Sequence, residues 1–487
     1  MSLKQKAVKG VLWASAQNWG RQALFFITFL ILARLLGPEE FGLVSLSTIF
    51  IHFVHALLGS SFSDAIIQRK KLDPEHLDTS FWCNLGIGVF LFILSLATAN
   101  VIAASFNQPE LASLIRWMSF IVVLSALNTT QQAILRRQLA FKSLAIRGLL
   151  GQMCGSITAI IMALNGLGVW SLVAQQLVTN LASTILLWKI SNWRPGLKIS
   201  KKHFQDLFNF GINIVGINIL TFVNVRSDDL LIGYFLGPTV LGYYTVAYKL
   251  LVTLTQLMTD TVRQVILPTF SRLQENQEKM REAFYTATEL VGFAAIPAFA
   301  GMALLAPEIV LSLFGEQWEP SIPVMQLLAF VGVMRTLFNF TGAIMMSVGK
   351  PTWALGIMVA ETVTQIIAFL IAAQWGIVAV AAALVVASYL FAPIKLWIIY
   401  RLIHLDIKVY FSHFIPPVLA SSVMALGIFL CKHLFMDSMT PQYFLAGIIP
   451  ISIILYGLVI FLTAPQFFRR LVDIAQQASA KKIPKKT

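Results

Sequence analysis

Fourteen stretches of about 20 predominantly apolar residues follow one another along this chain, and a stretch of that length crosses the hydrocarbon core of a bilayer as one helix. They lie near 11–33, 41–63, 80–104, 113–134, 144–164, 167–190, 207–227, 239–262, 284–306, 324–347, 353–374, 376–399, 412–434 and 443–464. Inside lipid every backbone polar group needs an internal partner, so each stretch is expected to be helical. The loops between them are short and leave no room for a soluble domain. With 57% hydrophobic and 12% charged residues, the chain carries more apolar surface than a water-soluble fold of this length can hide. The expected fold class is an all-α polytopic membrane protein with about 14 transmembrane helices.

Charge orients the array. Short loops rich in Lys and Arg stay on the cytoplasmic side, and an N-terminus on that side gathers there Lys4, Lys6, Lys9, the Arg69-Lys70-Lys71 cluster, Arg136, Arg137, Lys142, Arg147, Lys189, Arg194, Lys350, Lys395, Arg401 and the basic tail from Arg469 to Lys486. An even number of spans returns the C-terminus to the same side. Most of the net charge of +14 is thereby topological, and no nucleic-acid partner is implied. The first apolar stretch is too long and too polar for a cleaved signal sequence. Cys83, Cys154 and Cys431 show neither metal-ligand spacing nor an obvious pairing and read as small core residues; no metal and no cofactor is expected.

The sequence also repeats itself. "LLGPEEFG" at 35–42 and "FLGPTVLG" at 235–242 match through leucine, Gly-Pro and the closing glycine. Neither is a phosphate cradle, which needs G-x-x-x-x-G-K-[ST] or G-x-G-x-x-G after a strand. They read as turns: Gly37 and Gly237 cap the ending helix in a left-handed conformation, the proline stops its continuation, and Gly42 or Gly242 lets two backbones approach. Span 1 thus corresponds to span 7. "GLGVW" at 166–170 and "WGIVA" at 375–379 align through Gly168 and Gly376, each between the fifth and sixth helix of its half. Six spans per half is an even number, so the halves enter the membrane in the same direction as a parallel pseudo-twofold repeat. The expected organisation is an N-terminal six-helix lobe over 1–195, a C-terminal six-helix lobe over 196–405, and a helix pair with a basic tail over 406–487. The lobes are joined by the lysine-rich "SNWRPGLKISKKHFQD" at 191–206.

Two six-helix lobes able to rock around a shared cleft are a transporter architecture. "ARLLGPEEFGLVSLSTIF" at 33–50, after a basic N-terminus and a polar first helix, resembles the Wzx-type polysaccharide flippases, in the polysaccharide-transporter branch of the superfamily that also holds the multidrug-and-toxin exporters. The resemblance implies a bacterial inner-membrane protein, sufficient as a monomer among membrane lipids, that moves undecaprenyl-diphosphate-linked oligosaccharide to the outer leaflet, with H+ or Na+ as possible coupling ions. It implies no enzymatic activity. A multidrug exporter for cationic compounds is the first rival, yet the deepest charges here are basic. A membrane-embedded glycan polymerase is the second, and the chain has no H-E-x-x-H, nucleophile elbow or carboxylate cluster with metal spacing.

Ionised side chains at membrane depth are tolerated mainly where they face protein or water, so their positions locate a site. Asn18, Arg21 and Gln22 share one face of span 1. In span 8, Thr245, Lys249, Gln256, Asp260 and Arg263 form one polar stripe with Lys249 the deepest charge. Span 10 carries Arg335 with Asn339 one turn later. Arg21 and Lys249 have no acidic neighbour within a turn and, coming from opposite lobes, can share one diphosphate; Arg335 with Asn339 is the next candidate. Glu361, with Thr364 and Gln365 on its face, is the expected coupling acid, with Asp260 second; Glu361 and Arg335 can alternatively neutralise one another. Arg226, Asp228 and Asp229 read as a solvated helix terminus. His52 and His55, on one face with Thr48 and Gly59, read as packing or hydrogen-bonding residues, and "GQMCG" at 151–155 as a helix-packing face.

Overall fold

The computed structural model describes residues 3–58, 66, 73–197, 200–273, 276–435 and 439–465, without the side chains of 3–18, 74, 201–214 and most of 261–272. Gly59, Arg69-Lys70-Lys71 and the tail from Arg469 lie outside the described residues, as do the side chains of Lys4, Lys6, Lys9, Asn18 and Arg263.

All regular structure among the described residues is helical. Ten helical segments there are long and apolar enough to cross a bilayer: Pro38–Leu58, Glu75–Ser105, Pro109–Arg137, Phe141–Leu164, Gln277–Leu304, Ser321–Ser347, Pro351–Trp375, Ile377–Ile403, Ile407–Phe435 and Pro441–Thr463. The other four expected spans coincide with the helices Leu3–Leu35, Val169–Ile190, Lys201–Phe235 and Pro238–Arg272, of 33, 22, 35 and 35 residues. At about 1.5 Å per residue each is long enough to span, but each is richer in polar side chains. Two of these four, Leu3–Leu35 and Pro238–Arg272, carry polar faces singled out above.

Residues pack as two compact units, Met1–Thr245 and Val246–Thr487. The first holds α1 (Leu3–Leu35), α2 (Pro38–Leu58), α3 (Pro74–Ser105), α4 (Pro109–Met118), α5 (Phe120–Arg137), α6 (Phe141–Leu164), α7 (Val169–Ile190), α8 (Lys201–Phe235) and the first turns of α9 (Pro238–Arg272). Helix α6 packs on α1 and α7, α5 on α3 and α7, and α2 on α4 and α8. The GxxxG face works as expected: a Cβ at Gly151 would collide with Ser183 and sit 2.9 Å from the Thr179 carbonyl, and one at Gly155 would collide with Thr179. Small residues let these backbones approach.

The two Leu-Gly-Pro turns place proline first in α2 and in α9, where its missing N–H is one the helix does not need. Gly237 takes the expected left-handed conformation (φ +85°), but Gly37 does not. The Leu36 N–H still donates to the Leu32 carbonyl, so α1 ends in ordinary helical backbone. A Cβ at 37 would meet only the movable end of the Glu40 side chain, 2.8 Å from its Oε2. Downstream, a Cβ on Gly42 would collide with the Pro238 carbonyl, and one on Gly242 with the Pro38 carbonyl. The two turns therefore close reciprocally on one another.

The stretch joining α7 to α8 is held against the start of α3. Asp78 Oδ1 accepts from the Gly196 N–H at 3.0 Å, Trp82 Nε1 donates to the Gly196 carbonyl at 2.7 Å, and Thr79 Oγ1 accepts from the Ser200 N–H at 3.2 Å.

The second unit holds the rest of α9, then α10 (Gln277–Leu304), α11 (Ala306–Leu313), α12 (Ser321–Leu337), α13 (Thr341–Ser347), α14 (Pro351–Ala372), α15 (Ile377–Ile403), α16 (Ile407–Ser412), α17 (Ile415–Phe435) and α18 (Pro441–Thr463). Helix α12 packs on α10 and α15, α14 on α15, and α17 on α10 and α18. Phe270, Phe284, Phe340, Ile399 and Leu405 centre its core. Glu308, 2% exposed, pairs with Lys432 at 2.8 Å, and the same ammonium donates to the Leu304 carbonyl at 2.6 Å, tying α17 to the junction of α10 and α11. Gly168 and Gly376 are both N-caps with positive φ (+50° and +91°), so the second sequence echo marks the same backbone device twice. Pro297 and Pro393 lie inside α10 and α15.

Candidate functional site: charged side chains inside the helix array

The segment Ser321–Ser347 is discontinuous. It breaks at Phe338–Phe340, between α12 and α13, and a broken helix at membrane depth is tolerated where it is buried in protein or lines a water-filled cavity. Arg335 sits in the last turn of α12, where the helix dipole favours a cation. Its Nη1 donates to the Tyr248 hydroxyl at 2.7 Å, and its guanidinium lies 5.3 Å from the Tyr248 ring centroid. Asn339, at the break itself, is exposed.

Glu361 is not Arg335's partner. It pairs with Lys395 at 2.5 Å, the side chains being 19% and 22% exposed. The alternative Glu361–Arg335 neutralisation is corrected: α14 packs on α15, which turns the carboxylate to a lysine of that neighbour. Lys395, counted with the cytoplasmic-side charges, lies about two turns from the C-terminal end of α15. Its ammonium also lies 5.8 Å from the centroid of Phe338, next to Asn339. Arg335, Tyr248, Phe338, Asn339, Lys395 and Glu361 thus form one neighbourhood around the helix break.

In the first unit Arg21 is exposed on α1, with no hydrogen-bond or ion-pair partner among the described residues. Lys249 is half-buried on α9, and Gln256 and Asp260 are exposed on the same helix. Asp228 and Asp229, expected at a solvated terminus, are 4% and 5% exposed. Tyr244 donates to Asp228 at 2.7 Å and Arg226 to Asp229 at 2.8 Å. The reason is the turn that follows them: α9 folds back at Pro238 and lays Tyr244 over the end of α8. The only signal in the sequence was a tyrosine sixteen positions on. His55 Nε2 lies 3.5 Å from Ser125 Oγ, and Gln176 donates to Thr48 at 3.2 Å. No cluster of three or more metal-binding side chains occurs among the described residues.

An array of polar, broken and charge-bearing helices suits movement of an anionic or sugar-bearing solute rather than bond chemistry, and relatives of the chain agree in kind. The succinoglycan biosynthesis transport protein ExoT of Rhizobium meliloti (strain 1021) is 27% identical over 98% of this chain and 97% of its own. The lipopolysaccharide biosynthesis protein WzxC of Escherichia coli (strain K12) is 27% identical over 77% of this chain and 76% of its own. In fold, the chain is similar to the lipid II flippase MurJ in an inward closed conformation, with a TM-score of 0.74 at 17% identity over 95% of this chain and 100% of that one. The family profile described as polysaccharide biosynthesis protein matches residues 31–323, three-fifths of the sequence; the chain is a multi-pass membrane protein that belongs to the polysaccharide biosynthesis protein family.

Proposed function

We propose that this chain is a flippase that carries a lipid-linked oligosaccharide, joined to undecaprenyl through a diphosphate, across the bacterial cytoplasmic membrane by alternating access. The observation that carries the reading is the set of cations inside the helix array, Arg21 on a polar first helix and Arg335 beside a broken one, in a chain whose full-length relatives are named for polysaccharide biosynthesis and transport. A guanidinium at membrane depth replaces the hydration that a diphosphate loses there, while the prenyl tail can stay in lipid.

In this reading the N- and C-termini are cytoplasmic, the repeat runs as lobes over 1–195 and 196–405 with 406–487 appended, and one chain suffices. Arg21, Lys249 and Arg335, with Asn18 and Asn339, contact the head group. Asp260 and Glu361 are the acids for a coupling H+ or Na+.

The test is a deletion strain analysed by mass spectrometry. Loss of this chain should accumulate undecaprenyl-diphosphate-linked glycan on the cytoplasmic face and deplete the surface polymer. Drug sensitivity with normal surface glycan would replace this reading with a multidrug exporter.

A further inference from the structure

The Glu361–Lys395 pair has an unusual setting for a structural ion pair. Two charges taken out of water are stabilised only when further hydrogen bonds satisfy the remaining lone pairs and protons. Here each side chain keeps about a fifth of its surface open, and among the described residues neither charged group has another hydrogen-bond partner. An ammonium has three N–H donors; one is used by Glu361, and the ammonium also faces the ring of Phe338, which is attractive but weak. The pair also lies next to the break in Ser321–Ser347, through the contact of Lys395 with Phe338. Pro393, which removes one backbone donor from α15, stands two positions before Lys395.

We propose that Lys395 is a substrate-binding cation held in reserve by Glu361: an incoming lipid diphosphate takes the ammonium from the carboxylate, and the released Glu361 becomes the group that takes up a proton or a metal cation. The inference rests on the flippase reading above and specifies how its substrate would be sensed. No covalent bond changes; one charge-assisted contact replaces another. Glu361 then has two states with different needs. Paired with Lys395 it requires no coupling ion, and only the substrate-loaded protein generates a carboxylate that does. Uptake of the coupling ion is thereby made conditional on substrate, which is the requirement for a transporter that does not leak its driving gradient.

This assigns opposite effects to the two halves of one ion pair, which a merely structural pair would not produce. The experiment uses the purified full-length chain in detergent with farnesyl diphosphate as a soluble probe and farnesol as its uncharged control, read by calorimetry, with thermal melting to confirm folding. Glu361→Gln removes the competitor for Lys395 and should bind the diphosphate about tenfold or more tightly than the natural chain. Lys395→Met should bind it about tenfold more weakly or worse, and the double variant should resemble Lys395→Met. If Lys395→Met fails to fold, Glu361→Gln still decides, because the glutamine amide oxygen can still accept a hydrogen bond from the Lys395 ammonium. Diphosphate-dependent binding with Glu361→Gln no tighter than the natural chain overturns this inference alone. Absence of diphosphate-dependent binding in both the natural chain and Glu361→Gln overturns the substrate reading as well.

Discussion

Ser45 and Thr245 are separated by 200 residues in the chain, and their hydroxyl oxygens lie 3.0 Å apart. The same separation relates Gly42 to Gly242 and Pro38 to Pro238, and each glycine abuts the other repeat's proline carbonyl. Equivalent residues that touch one another, or touch each other's partners, lie about a local two-fold axis. The two similar turns read from the sequence are therefore also packed against one another.

The Ser45–Thr245 contact predicts that S45C/T245C, in a chain with Cys83, Cys154 and Cys431 replaced, cross-links on mild oxidation. A protease site inserted in the 191–200 stretch makes the cross-link visible as two fragments that stay together on a non-reducing gel. Fragments that always separate would show that the turns do not meet.

For the α6–α7 seam, Gly155→Leu drives a side chain into Thr179, and overpacking of this kind costs about 1–3 kcal/mol. A lowered midpoint of thermal unfolding in detergent, with Gly301→Leu as the control because nothing lies within 4 Å of that position, checks it.

Removing Lys432 leaves Glu308 charged and buried. Breaking such a pair from one side costs about 3–5 kcal/mol, whereas replacing both partners with apolar or neutral groups is often harmless. Lys432→Ala should therefore unfold far more readily than Glu308→Gln/Lys432→Met, measured by denaturation of the purified chain.

If Arg21 and Arg335 bind the head group, Arg21→Ala and Arg335→Ala should each lower restoration of surface glycan in a deletion strain by about tenfold or more, since a hydrogen bond to a charged group is worth about 1.5–3 kcal/mol. Arg→Lys at either site should keep part of the function, because charge survives and the planar fork does not. Tyr248→Phe keeps the ring beneath Arg335 and should be milder than Arg335→Ala. Full restoration by both alanine variants, present at normal membrane levels, would remove these residues from the substrate site.

Much of this architecture was legible because it follows from local rules. Apolar length fixes a span, Gly-Pro ends one, and the left-handed cap expected at Gly237 is present. The site was harder to read because its decisive facts are pairings between helices. Positive-inside counting put Lys395 on the cytoplasmic side without naming its partner, since a lysine near a helix end looks the same whether it reaches water or turns inward. For Glu361 the sequence offered Arg335, and only the packing of α14 on α15 brings in Lys395 instead. Asp228 and Asp229 looked solvated because a helix end usually is; burial came from a tyrosine on the next helix, which periodicity within one helix does not report.

Orientation is open to a direct check. Single cysteines at Glu40 and Thr239 should react with an impermeant maleimide from outside intact cells, whereas one at Leu197, which is exposed, should react only after permeabilisation. Opposite labelling of positions 40 and 239 would refute a parallel repeat.

The clasp on the 191–200 stretch changes what kind of connection it is. A free coil tolerates added residues at little thermodynamic cost, because closure entropy grows only slowly with length. Here Gly196 is gripped through both its N–H and its carbonyl by Asp78 and Trp82, so that residue is a fixed anchor point against the start of α3. Residues added between Gly196 and Ser200 would either bulge or pull Ser200 from Thr79, and the start of α8 would lose its datum.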